Sequence, residues 1–117
     1  MNEKIVIKVY EVVGSSSCVS VDDGQQVYDQ IATAIRNDHK VELSFLNVNS
    51  LTSAFLNPAI GQLYGEFSDD KIRQQLSVTD MQSEDLTLLK RVVETAKRYF
   101  KDPKRFNLAR QEMLGAS

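Results

Sequence analysis

The sequence predicts an α/β domain, a small sheet with helices packed against it. Two observations carry that expectation. β-branched runs alternate with helix-period segments in the order strand, helix, strand, helix, strand, helix, and strands separated by helices join through parallel crossovers. The chain has 117 residues, 42% hydrophobic and 26% charged, which suits one soluble folded unit rather than a disordered chain. At this size about 65% of the unfolded chain's surface can be buried, enough for one core without staples.

Lys4 to Val13, "KIVIKVYEVV", is β-branched and aromatic, with Ile5, Ile7 and Val9 on one face. It reads as a strand that breaks at Gly14 and the serines after it. Cys18 to Val21 reads as a short extended piece. Asp22 suits the N-cap of a first helix, with Gln25 three residues on, as in a capping box. Val27, Tyr28, Ile31, Ala34 and Ile35 recur at helical spacing, and the helix should end across Arg36 to His39. Val41 to Phe45 alternates as a strand with one buried face.

A junction follows, "NVNSLTSAFLNP". After it, Ile60, Leu63, Tyr64 and Phe67 fall at i, i+3, i+4 and i+7, one stripe of a helix. Ser68-Asp69-Asp70 closes that helix and can start a short turn through Ile72, and Leu76 to Thr79 reads as a short strand. Ser83-Glu84-Asp85 opens the last helix, with acids suited to the dipole. Leu86, Leu89, Val93, Ala96 and Phe100 line its apolar face, and Pro103 ends it. Residues 1–103 thus form the domain, and 104–117 a tail, helical or disordered.

Composition removes several function classes. The net charge of -2 gives no global field for nucleic acid or membrane. One cysteine, Cys18, cannot close an internal disulfide, and with one histidine it cannot build a zinc site. The start lacks a signal peptide's pattern, and no run approaches the ~20 apolar residues of a membrane span. A reducing, cytoplasmic setting is expected. His39 reads as a turn histidine and Cys18 as a small packed residue. The glycines form no phosphate loop. Gly61 and Gly65, four apart on a predicted helix, either admit another backbone closely or weaken the helix end. Neither enzymatic activity nor a metal or cofactor is expected.

At the junction a hydroxyl meets a helix entrance. A Ser or Thr there can cap exposed N–H groups. Those N–H groups also favour an anion, including a phosphate placed on the hydroxyl itself. Both readings stay open on the residues alone.

Val41 to Tyr64, "VELSFLNVNSLTSAFLNPAIGQLY", resembles the central strand–loop–helix of STAS domains, and among them the bacterial STAS-like (DUF4325-type) family. The likeness rests on Val41–Phe45, the Asn47-Val48 turn, Thr52-Ser53-Ala54-Phe55 and the helix Ala59–Phe67. It reaches upstream to "SVDDGQQVYDQI". It implies a small STAS-like mixed sheet with helices. It also implies a non-enzymatic, regulatory protein-interaction module, similar to bacterial anti-sigma factor antagonists, that meets a GHKL-type ATPase or serine kinase. In those antagonists an Asp-Ser-Ser/Thr-Gly motif opens this helix, and the serine after the Asp is phosphorylated. By the resemblance that serine falls on Ser53. Thr52 stands for the Asp, Ala54 for the following Ser/Thr and Phe55 for the Gly. Pro58 adds a further departure: either Asn57 caps the helix with Pro58 as its first residue, or Ser53 caps a helix that Pro58 disturbs. The resemblance makes Ser53 the phosphorylation candidate and Thr52, Ser53, Phe55, Leu56, Asn57 and Gln62 the partner-binding set.

Two alternatives come from other classes. One is a nucleic-acid-binding module using Lys97 to Arg110, whose affinity would fall steeply with salt. The other is a dimeric structural subunit of a larger bacterial or phage complex, joined through a sheet edge or the Gly61/Gly65 face.

Overall fold

The structure, a computed structural model, describes residues 3–101. Pro103, the basic positions from Lys104 to Arg110 and the tail to Ser117 lie outside the described residues. The elements are β1 (Lys4–Lys8), α1 (Val9–Val13), β2 (Ser17–Cys18), α2 (Val21–Arg36), β3 (Lys40–Ser44) and β4 (Ser50–Leu51), then α3 (Ser53–Leu56), a π-helical turn (Asn57–Gly61), α4 (Leu63–Glu66), α5 (Asp69–Gln75), β5 (Leu76–Thr79) and α6 (Ser83–Lys101). β1, β3 and β5 form a three-stranded sheet in that order, every pairing parallel, and β2 pairs with β4, also parallel. The α/β architecture expected from the alternation of elements is the one observed.

Register assigns the two faces of the sheet. Ile5, Val41 and Leu76 lie abreast, as do Ile7, Leu43 and Val78. Ile7, Val41 and Leu43 belong to the buried core with Val27, Ile31 and Ile35 of α2, Leu56 of α3, Leu63 of α4 and Val92 of α6, and the partly buried Ile5, Leu76 and Val78 pack against it. Right-handed crossovers that step one way across a sheet place their helices on one side. The other face carries Val6, 51% exposed, beside Glu42 and Ser77. There the Glu42 carboxylate bonds Lys4 Nζ at 2.7 Å and accepts from Thr79 Oγ1 at 3.4 Å. No helix among the described residues is long and apolar enough to cross a membrane.

Four local expectations are corrected. The first strand does not run to Val13; it ends at Lys8, and Val9–Val13 coils into a helical turn. β1 pairs only with the five residues of β3, so beyond Lys8 the backbone has no ladder and satisfies itself locally. Gly14, at φ 77°, ends the turn by donating its N–H to Tyr10 O at 2.9 Å. Asp22 does not cap α2. Ser20 does, its Oγ accepting from Asp23 N at 3.1 Å. Asp22 and Asp23 sit in the first turn, where their charge favours the dipole, and Gln25 bonds Asp29 instead of reaching back to the cap. The short turn through Ile72 is a full helix, α5, which Ser68 opens by capping Lys71 N and which runs to Gln75. On α6, Val92 and Ala96 are buried while Leu86 and Phe100 stay exposed.

The glycines on the helices mark contacts. A Cβ on Gly61 would meet Ala96 Cβ and Val92 Cγ1 at 3.5 Å, and one on Gly65 would meet the Phe100 ring at 2.6 Å. Gly61 is therefore buried against α6, whereas Gly65 touches the Phe100 ring and stays exposed.

Candidate functional site

The junction is built outward from the small sheet of β2 and β4. Asn49 and Ser50 N donate to Ser16 O, and Thr52 N donates to Cys18 O at 3.3 Å. These bonds hold Thr52 extended, at φ -129° and ψ 161°. Its hydroxyl then does two things. It accepts from Phe55 N at 3.3 Å, capping α3, and it donates to Val19 O at 3.0 Å. A side-chain oxygen at this position stabilises a helix start by about 1 kcal/mol. Thr52 therefore fills the role that sequence reasoning divided between Ser53 and Asn57.

Ser53 is consequently the first helical residue, exposed beside exposed Ala54. Its hydroxyl is not consumed by the cap. Pro58 neither begins a helix nor breaks one. It lacks an N–H, and its ring would crowd the carbonyl four residues back in a regular helix. The chain widens here into a π-helical turn, in which Gln62 N reaches Asn57 O at 2.9 Å. The helical path thus continues from Ser53 through the wide turn into α4.

The predicted partner-binding set divides. Ser53, Asn57 and Gln62 are exposed, and Thr52 is half-buried. Phe55 and Leu56 are fully buried, at 0% exposure, and are corrected from contact residues to core residues. Phe55 stands where the resemblance expected a glycine for close approach. The close approach exists, but the glycine is on the other partner. A Cβ on Gly24 of α2 would lie 2.3 Å from Phe55 O and 2.7 Å from Pro58 Cγ. α2 is thus laid directly against the backbone of the junction.

Two exposed residues escaped the sequence reading. Val19 is 43% and Val21 57% exposed, one on each side of the capping Ser20, and Val19 O is the atom that Thr52 bonds. The available signal was a pair of β-branched residues just outside the helical stripe of α2. Ser53, Ala54 and Asn57 are exposed as well, as is Asp22 next to Val21 in sequence, and the Thr52 bond to Val19 O and the approach of Gly24 to Phe55 O tie the two segments together.

Cys18 is buried and reduced, its thiol 3.9 Å from Ser15 O. Burial, with a contribution from Asp23, pushes that thiol up to about 11. It is a packed residue, as its sequence surroundings suggested. At the far end of α2, Arg36 makes a two-point contact with Glu66 of α4, and Tyr28 Oη donates to the same carboxylate. Hydrogen bonds from Arg36 and Tyr28 draw Glu66 down to about 2, while burial and Glu66 raise Tyr28 to about 12. α2 and the junction helix are therefore pinned at both ends, by Gly24 at one and Glu66 at the other.

Other polar groups are scattered. His39 is half-buried just before β3, its Nδ1 without a partner. Ser44 Oγ, at the opposite end of β3, donates to Asp80 Oδ2 at 2.8 Å. The length of the strand separates the histidine from that Ser–Asp pair. Among the described residues no group of three His, Cys, Asp or Glu could hold a metal ion. Of the basic C-terminal residues, Lys97 is engaged with Asp69 at 3.2 Å and lies 5.8 Å from the Tyr64 ring centre.

The family described as a STAS-like domain of unknown function (DUF4325) matches residues 23–86. That span runs from the first turn of α2 to the first turn of α6 and contains the whole junction. Comparison with curated proteins and with solved structures found no match.

Proposed function

The chain belongs to the STAS-like domain family, and from that premise we propose that it is a non-enzymatic regulatory module that binds a protein partner through the junction surface. The proposed partner is an ATPase or serine kinase of the GHKL type, and the proposed switch is a phosphate on Ser53. One observation carries the reading: Ser53 is exposed at the first position of a helical run whose cap is supplied by Thr52. A kinase can reach such a hydroxyl without dismantling the helix start. A phosphate there would add about -1.5 to -2 charge in the first turn, where the dipole tolerates it, and would alter the surface that a partner meets.

The contact surface in this proposal differs from the one the motif alone suggested. It consists of Ser53, Ala54, Asn57 and Gln62 with Val19 and Val21, and excludes Phe55 and Leu56. The two valines offer the apolar area that a partner interface centres on. The missing acid before Ser53 has a structural account as well, since Thr52 serves as cap and as tie to Val19 O. The experiment is a binding titration of a GHKL-type ATPase from the same genome against the wild-type chain, Ser53→Ala, Ser53→Asp and Val21→Asp. Ser53→Asp and Val21→Asp should weaken binding and Ser53→Ala should retain it. Equal binding by all four would remove the reading.

A further inference from the structure

The two outer strands of the sheet are protected very differently. β1, "KIVIK", has Lys4 and Lys8 at its ends, the charged residues that discourage edge pairing. β5, "LSVT", has no charge and no proline, and no described strand pairs with its outer edge. Beside β5 lies an open groove of about 270 Å³. Leu76 and Val78 of β5 and Leu89 and Val93 of α6 form its apolar walls, together with Ile60 and Ile72. The four from β5 and α6 are only half-buried. At about 30 Å³ per water-sized group, the groove accommodates roughly two aliphatic side chains.

An edge strand over an apolar groove is the geometry of strand addition. The edge's free N–H and C=O groups hold an extended backbone, and every second side chain of the incoming strand drops into the groove. The charges at the rim indicate the occupant. Lys97 is held by Asp69, but Arg73 has only Asp70 three residues back, in a pair whose side chains are 70% and 80% exposed. So exposed a pair contributes little and exchanges readily for another carboxylate. A second copy of the chain would bring its own Arg73 and Lys97 to the seam. Residues 104–110, "KRFNLAR", carry three cations and no acid. An acidic segment suits the rim better than either.

We propose that the outer edge of β5 takes up an extended segment of a protein partner, with apolar residues at alternate positions and acidic residues flanking them. This surface shares no residue with the one around Ser53 and does not depend on it.

The test is an amide-resolved NMR titration of the full chain with a synthetic peptide of alternating valine and threonine flanked at both ends by glutamates, against the same peptide flanked by lysines. The acidic peptide should shift the amides of Leu76 to Thr79 and of Arg73, and slow the exchange of the β5 amides. Arg73→Glu, a substitution at an exposed site, should weaken binding about fivefold, and Ser53→Asp should leave it unchanged. Absence of any shift at β5, or equal binding of both peptides, overturns the proposal. So does protection of the β5 amides in the free chain: if it rises with concentration a second copy is the occupant, and if it does not the chain fills its own edge.

Discussion

Gly24→Ala should destabilise this protein, although the same change in an ordinary helix stabilises it. In a helix interior the replacement gains about 1 kcal/mol from backbone propensity. Here the new Cβ would stand 2.3 Å from Phe55 O and 2.7 Å from Pro58 Cγ. Inserting a methyl into a filled space costs about 1–3 kcal/mol. The obstacle is a backbone carbonyl rather than the loose end of a side chain, so the cost belongs in the upper part of that range. The net loss should be about 1–2 kcal/mol. With a urea slope of about 2 kcal/mol/M, the middle of the usual range, the midpoint should fall by about 0.5–1 M. Gly61→Ala is the internal control, since its Cβ would meet Ala96 and Val92 at an ordinary 3.5 Å; its midpoint should hold or rise. A raised midpoint for Gly24→Ala would refute the claim that α2 rests on the junction backbone.

The junction residues should separate by role in the same assay. Phe55→Ala, at a fully buried site, should cost about 3–5 kcal/mol, and Thr52→Ala about 1–2 kcal/mol through the lost cap, whereas Ser53→Ala should stay within about 0.5 kcal/mol. Glu66 has a folded value of about 2 against an ordinary 4.5, so its contribution is complete above about 4.5 and is lost as pH falls towards 2. Glu66→Gln should therefore be less stable than wild type at neutral pH, with the difference shrinking through that window in pH-dependent urea melts. Cys18, buried and raised to about 11, should react with a thiol reagent at pH 8 far more slowly in the native chain than in urea.

The alternation of elements was legible because it depends on period alone, and β3, β5 and the body of α2 stand where the pattern put them. What the sequence obscured depended on partners distant in the chain. Val9 to Val13 continues the composition of β1, and only the five-residue depth of β3 stops the strand at Lys8. Phe55 and Leu56 entered the partner-binding set by their place in the motif, and only the approach of Gly24, which lays α2 against the Phe55 backbone, makes them core. Thr52 was legible as a hydroxyl near a helix start, but its choice as cap over Ser53 follows from bonds to Cys18 and Val19, residues more than thirty positions away. Pro58 suggested a helix boundary, and the π-helical turn that absorbs it has no signature in composition. Leu86 and Phe100 fit the period of α6, yet that helix packs on α3, the π-helical turn and α4, and both residues stay exposed.

The account rests most heavily on Ser53 being both reachable and decisive. The direct measurement is to incubate the full chain with a GHKL-type ATPase from the same genome and ATP, locate any added phosphate by peptide mass analysis, and titrate the partner against the phosphorylated and unmodified forms. The account predicts one phosphate, on Ser53, absent in Ser53→Ala, and weaker binding once it is present. A partner that binds both forms with equal affinity, or a phosphate placed on another residue, would contradict it.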